Sequence, residues 1–371
     1  MWIETLRLEN FRNFVSESFS FSPSFNVLLG ANAQGKTSVL EAFAFLANGN
    51  SFRSSDWRDA ILHGSREAHV RAKAQHELGS DEWFLSLNSE KKVRSLNDKR
   101  SASTLAKLVT ILFAPEEIQL LRESPGARRR YVDQIIRRYD SQHWTNLRSF
   151  ERVLKQRQAI LHDEEKSISA RASLLEIFDE QHAHLAAKLV SKRAEWLEKL
   201  NRGISKAYAM MAPHNEQAQF VYQPWFGAWQ NQTQSDLEGF IRSELVRRRN
   251  DELTRRISIV GPHRDDILAQ LGNKTLQRFG SQGEHRSFVL ALKIAELELH
   301  QSLAETTPIF LLDDVSSELD GIRREFFFAA LNQAKGQVMV TGTEQSLILL
   351  PSTAQVATFE IAAGKASKIA W

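Results

Sequence analysis

The chain has 371 residues, with 48 Lys+Arg against 45 Asp+Glu, a formal net charge of +3 and 42% hydrophobic residues. That length allows a large core and more than one domain, and the complete lack of cysteine excludes disulfides and cysteine zinc sites. The charge is too mild to mark a nucleic-acid binder by composition; with no segment reading as a signal peptide or as a membrane span of about 18 apolar residues, a soluble cytoplasmic protein with no membrane partner is expected.

In chain order, Phe25-Asn-Val-Leu-Leu29 reads as a buried strand, and Thr37 to Ala47 carries Val39, Leu40, Phe43, Leu46 and Ala47 at helical spacing. Between them, Gly30-Ala-Asn-Ala-Gln-Gly-Lys-Thr37 fits the phosphate-binding loop G-x-x-x-x-G-K-[ST] in the strand, loop and helix context that this motif requires. Gly30 and Gly35 let the backbone N–H groups of Ala31, Asn32, Ala33 and Gln34 wrap phosphates. Lys36 reaches the outer phosphates, the Thr37 hydroxyl holds Mg²⁺, and Ser38 is the next nucleotide contact. The anion then sits at a helix N-terminus, where free N–H groups and the dipole favour negative charge.

Val70-Arg-Ala-Lys-Ala74 and Trp83-Phe-Leu-Ser-Leu87 alternate in polarity, which predicts antiparallel strands beside the loop. Between Gly126 and Gly203 the chain has neither Gly nor Pro, and Leu174, Phe178, Leu185, Leu189, Trp196 and Leu200 recur at helical spacing, so helical hairpins are expected there. Arginines cluster at Arg128, Arg129 and Arg130, at Arg137 and Arg138, at 247–249 and at 255–256. The first two clusters are candidates for DNA phosphate contact, although salt-bridged, solvated helix faces account for such runs as well. His263, in Gly261-Pro-His-Arg-Asp-Asp266, is expected in a turn rather than at a metal, because adjacent residues seldom converge on one ion.

Ser281 opens a helix with Glu284 three residues on, as in a capping box. The four apolar residues Ile309 to Leu312 read as a parallel strand ending in Asp313 and Asp314. Carboxylates at that edge suit a metal-bound phosphate: Asp313 would hold Mg²⁺, and Asp314 would orient or deprotonate the attacking water. Gln337-Val-Met-Val-Thr341 predicts a further strand.

Together with the loop, Ser281, Gln282 and Gly283 resemble the signature of ABC-type ATPases, and Ser317 to Asp320 stands where that family carries its D-loop. Leu8-Glu-Asn-Phe-Arg-Asn-Phe14, Phe113-Ala-Pro-Glu116, Ser124-Pro-Gly-Ala-Arg-Arg-Arg130, Gly261 to Asp266 and Arg286 narrow the likeness, and the chain resembles the RecF family. The resemblance implies ATP and Mg²⁺ as cofactors and two ATP molecules held between protomers of a dimer, with Ser281 reaching the γ-phosphate bound by the other subunit. Arg53 would contact base or phosphate, and Gln119 would sense the metal. It further implies a recombination mediator that binds gapped duplexes and single-strand/double-strand junctions near the bacterial nucleoid, and works with RecR and RecO to bring RecA onto single strands.

The expected fold is α/β, an ABC-type P-loop head with a mixed central sheet and an antiparallel β subdomain. Its halves come from residues 1–112 and 257–371, around an all-helical lever arm at 113–256. That arm is too short for the long coiled coils of SMC-type relatives, since ~60 residues at about 1.5 Å each span no more than about 90 Å. Asp314 stands where the superfamily usually has Glu, one methylene longer, and catalysis is sensitive to ångström displacements; slow hydrolysis that releases a clamp is therefore expected. Thr341 and Thr343 follow a strand where ABC proteins keep a switch histidine, so either a hydroxyl takes that role or nothing does. A self-contained P-loop enzyme and an SMC-like chromosome-associated ATPase remain the alternatives.

Overall fold

The computed structural model describes residues 1–100, 108–211, 216–227, 233–304, 306–314, 319–334, 336–344, 348, 350 and 355–370. The chain separates into two compact units. The first comprises Met1–Ile118, Met210–Pro213 and Arg286–Trp371, and the second Gln119–Ala209 and His214–His285.

In the first unit, strands β1 (Trp2–Phe11), β2 (Phe14–Ser20), β4 (Glu67–His76), β5 (Gly79–Asn88) and β6 (Lys92–Leu96) form an antiparallel sheet in the order β2-β1-β4-β5-β6. Burial alternates along β4 and β5, as one-sided sheets require. The other sheet has the order β14-β13-β3-β12-β11-β7, built from β3 (Phe25–Leu29), β7 (Thr110–Phe113), β11 (Ile309–Leu312), β12 (Val338–Gly342), β13 (Val356–Ala362) and β14 (Lys365–Ile369). Its strands pair in parallel from β13 to β7. β11 and β12 are buried along their whole length, which is why their sequences read as unbroken apolar runs.

Helix α1 (Lys36–Asn48) follows β3 and is bracketed by Gly35 and Gly49, both at positive φ (117° and 75°). Its apolar residues share a core with the antiparallel sheet, where Phe19 stacks on Phe21 at 5.6 Å and Phe21 meets Phe43 at 5.5 Å. The buried Gln337 amide ties the two sheets together: it accepts from Ile3 N and donates to Ile3 O, each at 2.8 Å. The short α2 (Pro115–Gln119) follows β7.

The second unit contains α3 (Pro125–Tyr139), α4 (Ser141–His162), the long α5 (Ile168–Met211), α6 (Gln234–Arg247) and α7 (Arg249–Arg255). It also holds a three-stranded sheet of β8 (Ala218–Gln223), β9 (Asp266–Leu271) and β10 (Lys274–Thr275), in the order β10-β9-β8, followed by the one-turn helix α8 (Leu276–Phe279). Among the described residues of 114–256, β8 is the one strand, and its antiparallel partner β9 lies 43 residues on at Asp266↔Gln223. The compact units divide at 118/119 and 285/286, against the expected 112/113 and 256/257; on the C-terminal side the reason is that β9, β10 and α8 belong with β8. Helix α9 (Gln282–Leu303) begins in the second unit and continues into the first, and α10 (Gly321–Ala334) follows in the first.

Ion pairs rather than apolar contacts alone tie the second unit together. Buried Asp133 accepts from Arg193 Nε and Nη2 at 2.9 and 2.8 Å and pairs with His143 at 2.9 Å. Burial disfavours the Asp133 carboxylate, yet Arg193 and His143 hold its pKa down at about 2. Arg157 joins Asp179 and Glu252, both buried.

Candidate nucleotide site

β3 delivers the loop Gly30–Thr37 to the carboxyl edge of the parallel sheet, where β11 and β12 also end. At Gly30 (φ +151°) a Cβ would come 2.3 Å from the Ile361 carbonyl oxygen, and at Gly35 (φ +117°) 2.7 Å from Asn13 Nδ2, so each position accepts only glycine. Asn13 Nδ2 donates to Gln34 O at 2.7 Å, and Ala363 N donates to Gln34 Oε1 at 2.7 Å. The Gln34 side chain therefore fastens the loop to the β13–β14 turn, while Ala31, Asn32 and Ala33 face solvent.

Lys36 is 8% exposed, and its Nζ donates to Gly30 O at 2.6 Å and Ala31 O at 2.8 Å. Burial lowers its pKa, against the opposing pull of Asp314 and Asp313. Thr37 Oγ1 donates to Asp313 Oδ1 at 3.0 Å across a sequence separation of 276 residues. Thr341, at the end of β12, donates to the same Oδ1 at 2.7 Å, and its hydroxyl accepts from Asp314 N at 2.9 Å. Asp314 itself adopts a left-handed backbone, φ 47°.

These residues fit a Mg²⁺-bound nucleoside triphosphate. The N-terminus of α1 carries no side-chain cap; Ser38 N already donates to Gly35 O at 3.0 Å, and the N–H groups ahead of it point toward an anion position. Thr37 Oγ1 and Asp313 Oδ1 form a close pair of hard oxygens of the kind Mg²⁺ takes alongside phosphate and water. Lys36, Thr37 and Asp313 could hold the triphosphate and its metal, and Asp314 is the carboxylate left beside them.

A family model described as RecF/RecN/SMC N terminal domain matches residues 2–361. A DNA replication and repair protein RecF of Symbiobacterium thermophilum is 35% identical over 98% of this chain and 97% of its own length. That of Streptococcus pneumoniae is 32% identical, covering 99% of both. The chain belongs to the RecF family. A solved structure of the recombination mediator protein RecF-ATP in the RecFOR pathway matches with a TM-score of 0.87 at 28% identity, over 100% of this chain and 98% of that one. A Smc head bound to the C-terminal winged-helix domain of ScpA matches at 0.57 and 16% identity, over 100% and 97%, a likeness of fold alone. The fold of this RecF-family chain is accordingly that of an ABC-type ATPase head with a helical insertion.

Within the RecF frame the remaining candidates divide. Ser281 and Glu284 form the expected capping box in the second unit. Ser281 N donates to Glu284 Oε2 at 2.6 Å, Glu284 N donates to Ser281 Oγ at 3.2 Å, and Gln282 and Gly283 open α9. Arg53 is exposed, with its N–H on Ser51 Oγ at 2.9 Å. Gln119 is exposed at the end of α2. Ser317 lies outside the described residues, whereas Asp320 accepts from Arg323 N at 3.0 Å at the start of α10. His263 sits in a 3-10 turn with Nε2 on Ser258 O at 3.0 Å, and burial lowers its pKa to about 4.

Two of the arginines named for DNA contact serve another purpose. Arg128 is 6% exposed and forks onto Asp266 at 2.7 to 2.9 Å, with Leu121 and Glu123 carbonyls as further acceptors. Arg129 donates to the Asp265 carbonyl, and burial lowers its pKa. Both lock the Gly261–Asp266 segment onto α3, Arg128 from a buried position and Arg129 from a half-buried one. Arg130 and Arg137 are exposed, and Arg138 is half-buried. The sequence reading did not find Thr341 as a bridge between Asp313 and Asp314. Its signal was a threonine ending a buried strand where relatives of the fold carry a histidine.

Proposed function

We propose that this chain is an ATP-dependent DNA-binding recombination mediator. In this reading it closes as a homodimer around two Mg²⁺-bound ATP molecules, engages gapped duplexes and single-strand/double-strand junctions, and works with RecR and RecO to bring RecA onto single strands beside the bacterial chromosome in the cytoplasm. The observation that carries the reading is the Asp313 carboxylate shared by Thr37 and Thr341 under a phosphate loop, in a chain whose relatives are DNA replication and repair proteins. A matching solved relative is a RecF-ATP complex.

Mg²⁺, when bound, would neutralise phosphate charge and order the phosphate oxygens. Lys36 adds a fixed cation to the loop, and the α1 N–H groups add dipoles that need no reorganisation. Thr37 and Asp313 would hold the metal, and Asp314 would take the proton of the attacking water. An aspartate is one methylene shorter than a glutamate at this position and would reach less far toward that water, which would make hydrolysis a slow release step rather than a fast turnover. Ser281 and the N-terminus of α9 serve the nucleotide of the other protomer.

Light scattering tests the reading. With a non-hydrolysable ATP analogue and Mg²⁺, the native chain should shift from monomer to dimer, and Ser281→Arg should remain monomeric while still binding nucleotide. A monomer that binds nucleotide throughout would instead favour a self-contained P-loop enzyme.

A further inference from the structure

The hairpin of α3 and α4 has a charge unlike the rest of the chain. Residues 125–162 hold nine Lys/Arg against three Asp/Glu, a formal +6 in a chain of +3, so the remainder carries −3. Some of these cations face inward: Arg128 and Arg129 onto the Asp265–Asp266 segment, and Arg157 onto Asp179 and Glu252. Arg130, Arg137, Arg148, Arg152 and Lys155 are exposed.

What separates these five from Arg247, Arg248, Arg249 and Arg256 is their lack of carboxylate partners. Arg247 and Arg248 pair with Glu244, Arg249 with Glu176 and Asp179, Arg256 with Glu164, Arg202 with Glu198, and Lys199 with Glu195. Among the described residues none of the five forms an ion pair, although exposed Glu151 lies on the same helix. Sequence runs that look alike are therefore of two kinds, one neutralised within the fold and one not.

The unpaired cations are also ordered. Arg148, Arg152 and Lys155 lie at i, i+4 and i+7 on α4, a stripe about 10 Å long at ~1.5 Å per residue. Arg130 and Arg137 repeat the seven-residue spacing on α3. Trp144 joins the two helices: the Arg137 guanidinium lies 4.2 Å from its ring centroid and Arg148 lies 5.7 Å from it. Partial burial against Trp144 and the like charge of Arg148 both lower the Arg137 pKa, a repulsion that an anion at this place would relieve.

Building on the DNA-binding reading above, we infer that Arg130, Arg137, Arg148, Arg152 and Lys155, organised by Trp144, seat the phosphate backbone of duplex DNA. Guanidinium forks match phosphate oxygens. A stripe of about 10 Å spans some three phosphates of one strand at about 3.4 Å per phosphate along the axis. Trp144 carries cations on its ring rather than a bare face, so it orders charge and does not stack bases. The contact is therefore indifferent to sequence and belongs to the duplex flanking a gap.

The test is fluorescence anisotropy with a gapped duplex and with plain duplex, in ATP analogue and Mg²⁺, over a salt series. Arg148→Ala/Arg152→Ala/Lys155→Ala should weaken binding at least tenfold near 0.1 M salt and lower the log–log salt slope by about 0.9 for each phosphate that is no longer neutralised. Arg148→Lys/Arg152→Lys should keep the slope. Arg247→Ala/Arg248→Ala, which removes charge from a carboxylate-paired site, should change neither quantity. Thermal unfolding and nucleotide binding of each variant establish that the fold is intact. Native affinity and slope in the triple variant would overturn the inference while leaving the DNA-binding reading standing. A native protein that binds no DNA would overturn both, and loss of binding to anionic vesicles but not to DNA would reassign the stripe to a membrane surface.

Discussion

Asp313 Oδ1 accepts from two hydroxyls, Thr37 on the phosphate loop and Thr341 at the end of β12. The second hydroxyl also accepts the Asp314 N–H, at a residue held in the left-handed region, φ 47°, which few side chains other than those of Asn and Asp adopt. One hydroxyl thus fixes both the Asp313 carboxylate and the Asp314 peptide, the proposed metal ligand and base. Thr341→Val removes it at nearly constant volume, so ATP turnover should fall about 10- to 100-fold and the Mg²⁺ requirement should rise. Thr341→Ser should restore both; an unchanged Mg²⁺ titration would make Thr341 a packing residue only. Asp314→Asn should cut turnover by a factor of about 10² to 10⁴ while the nucleotide-dependent dimer persists in light scattering. Arg128→Ala leaves Asp266 without its fork, and because Asp266 is partly exposed, a loss of about 2–4 kcal/mol is expected in urea unfolding, with no change in the DNA salt slope. The phosphate loop was legible residue by residue because its chemistry dictates type and spacing together. The triplet Arg128 to Arg130 was not, because consecutive helical residues point about 100° apart and only packing decides which of them turns inward.

Among the elements, α9 starts with charge held in a fixed place. Lys274 donates to both Glu284 oxygens at 2.8 and 2.9 Å, and with Ser281 it keeps the Glu284 carboxyl at about 2, well below its ordinary 4.5. A carboxyl depressed in the folded state adds stability above its unfolded pKa, and that stability is lost as pH falls through the folded value. The contribution of Glu284 should therefore be complete above about pH 4.5 and fade toward pH 2. Glu284→Gln should flatten this part of the acid-unfolding curve and make stability at pH 7 less sensitive to salt; an unaltered acid limb would mean that the box is open in solution. This helix start was readable from Ser281 and Glu284 alone, as were β3, α1, β4, β5 and β11 from their periodicities. β8 was not, since six alternating residues beside masses of helix carry little signal and their partner β9 lies 43 residues away. Gly261–Asp266 does hold the expected turn, at Pro262–Arg264, but inside the second unit rather than on a return to the head, and its role in anchoring Arg128, Arg129 and Tyr222 depends on contacts that no local pattern encodes.

At the scale of the whole molecule, the phosphate loop and the signature serine fall in different compact units. Both stand out in the sequence because each is a short motif with its own local chemistry. The pairing across a dimer proposed above predicts a difference between cis and trans contacts. Groups that touch nucleotide within one protomer gain hydrogen-exchange protection whenever nucleotide binds, whatever the protein concentration. Groups that touch it across the dimer gain protection only when protomers associate, and association is concentration-dependent. With an ATP analogue and Mg²⁺, amides at the start of α1 and around Asp313 and Thr341 should therefore be protected equally in dilute and concentrated protein, whereas those at the start of α9 should be protected only in concentrated protein. Ser281→Arg should abolish the second response and keep the first, and Lys36→Ala should diminish both. Protection at the start of α9 that is independent of concentration would place Ser281 against the nucleotide of its own chain and remove the reason for a two-ATP dimer.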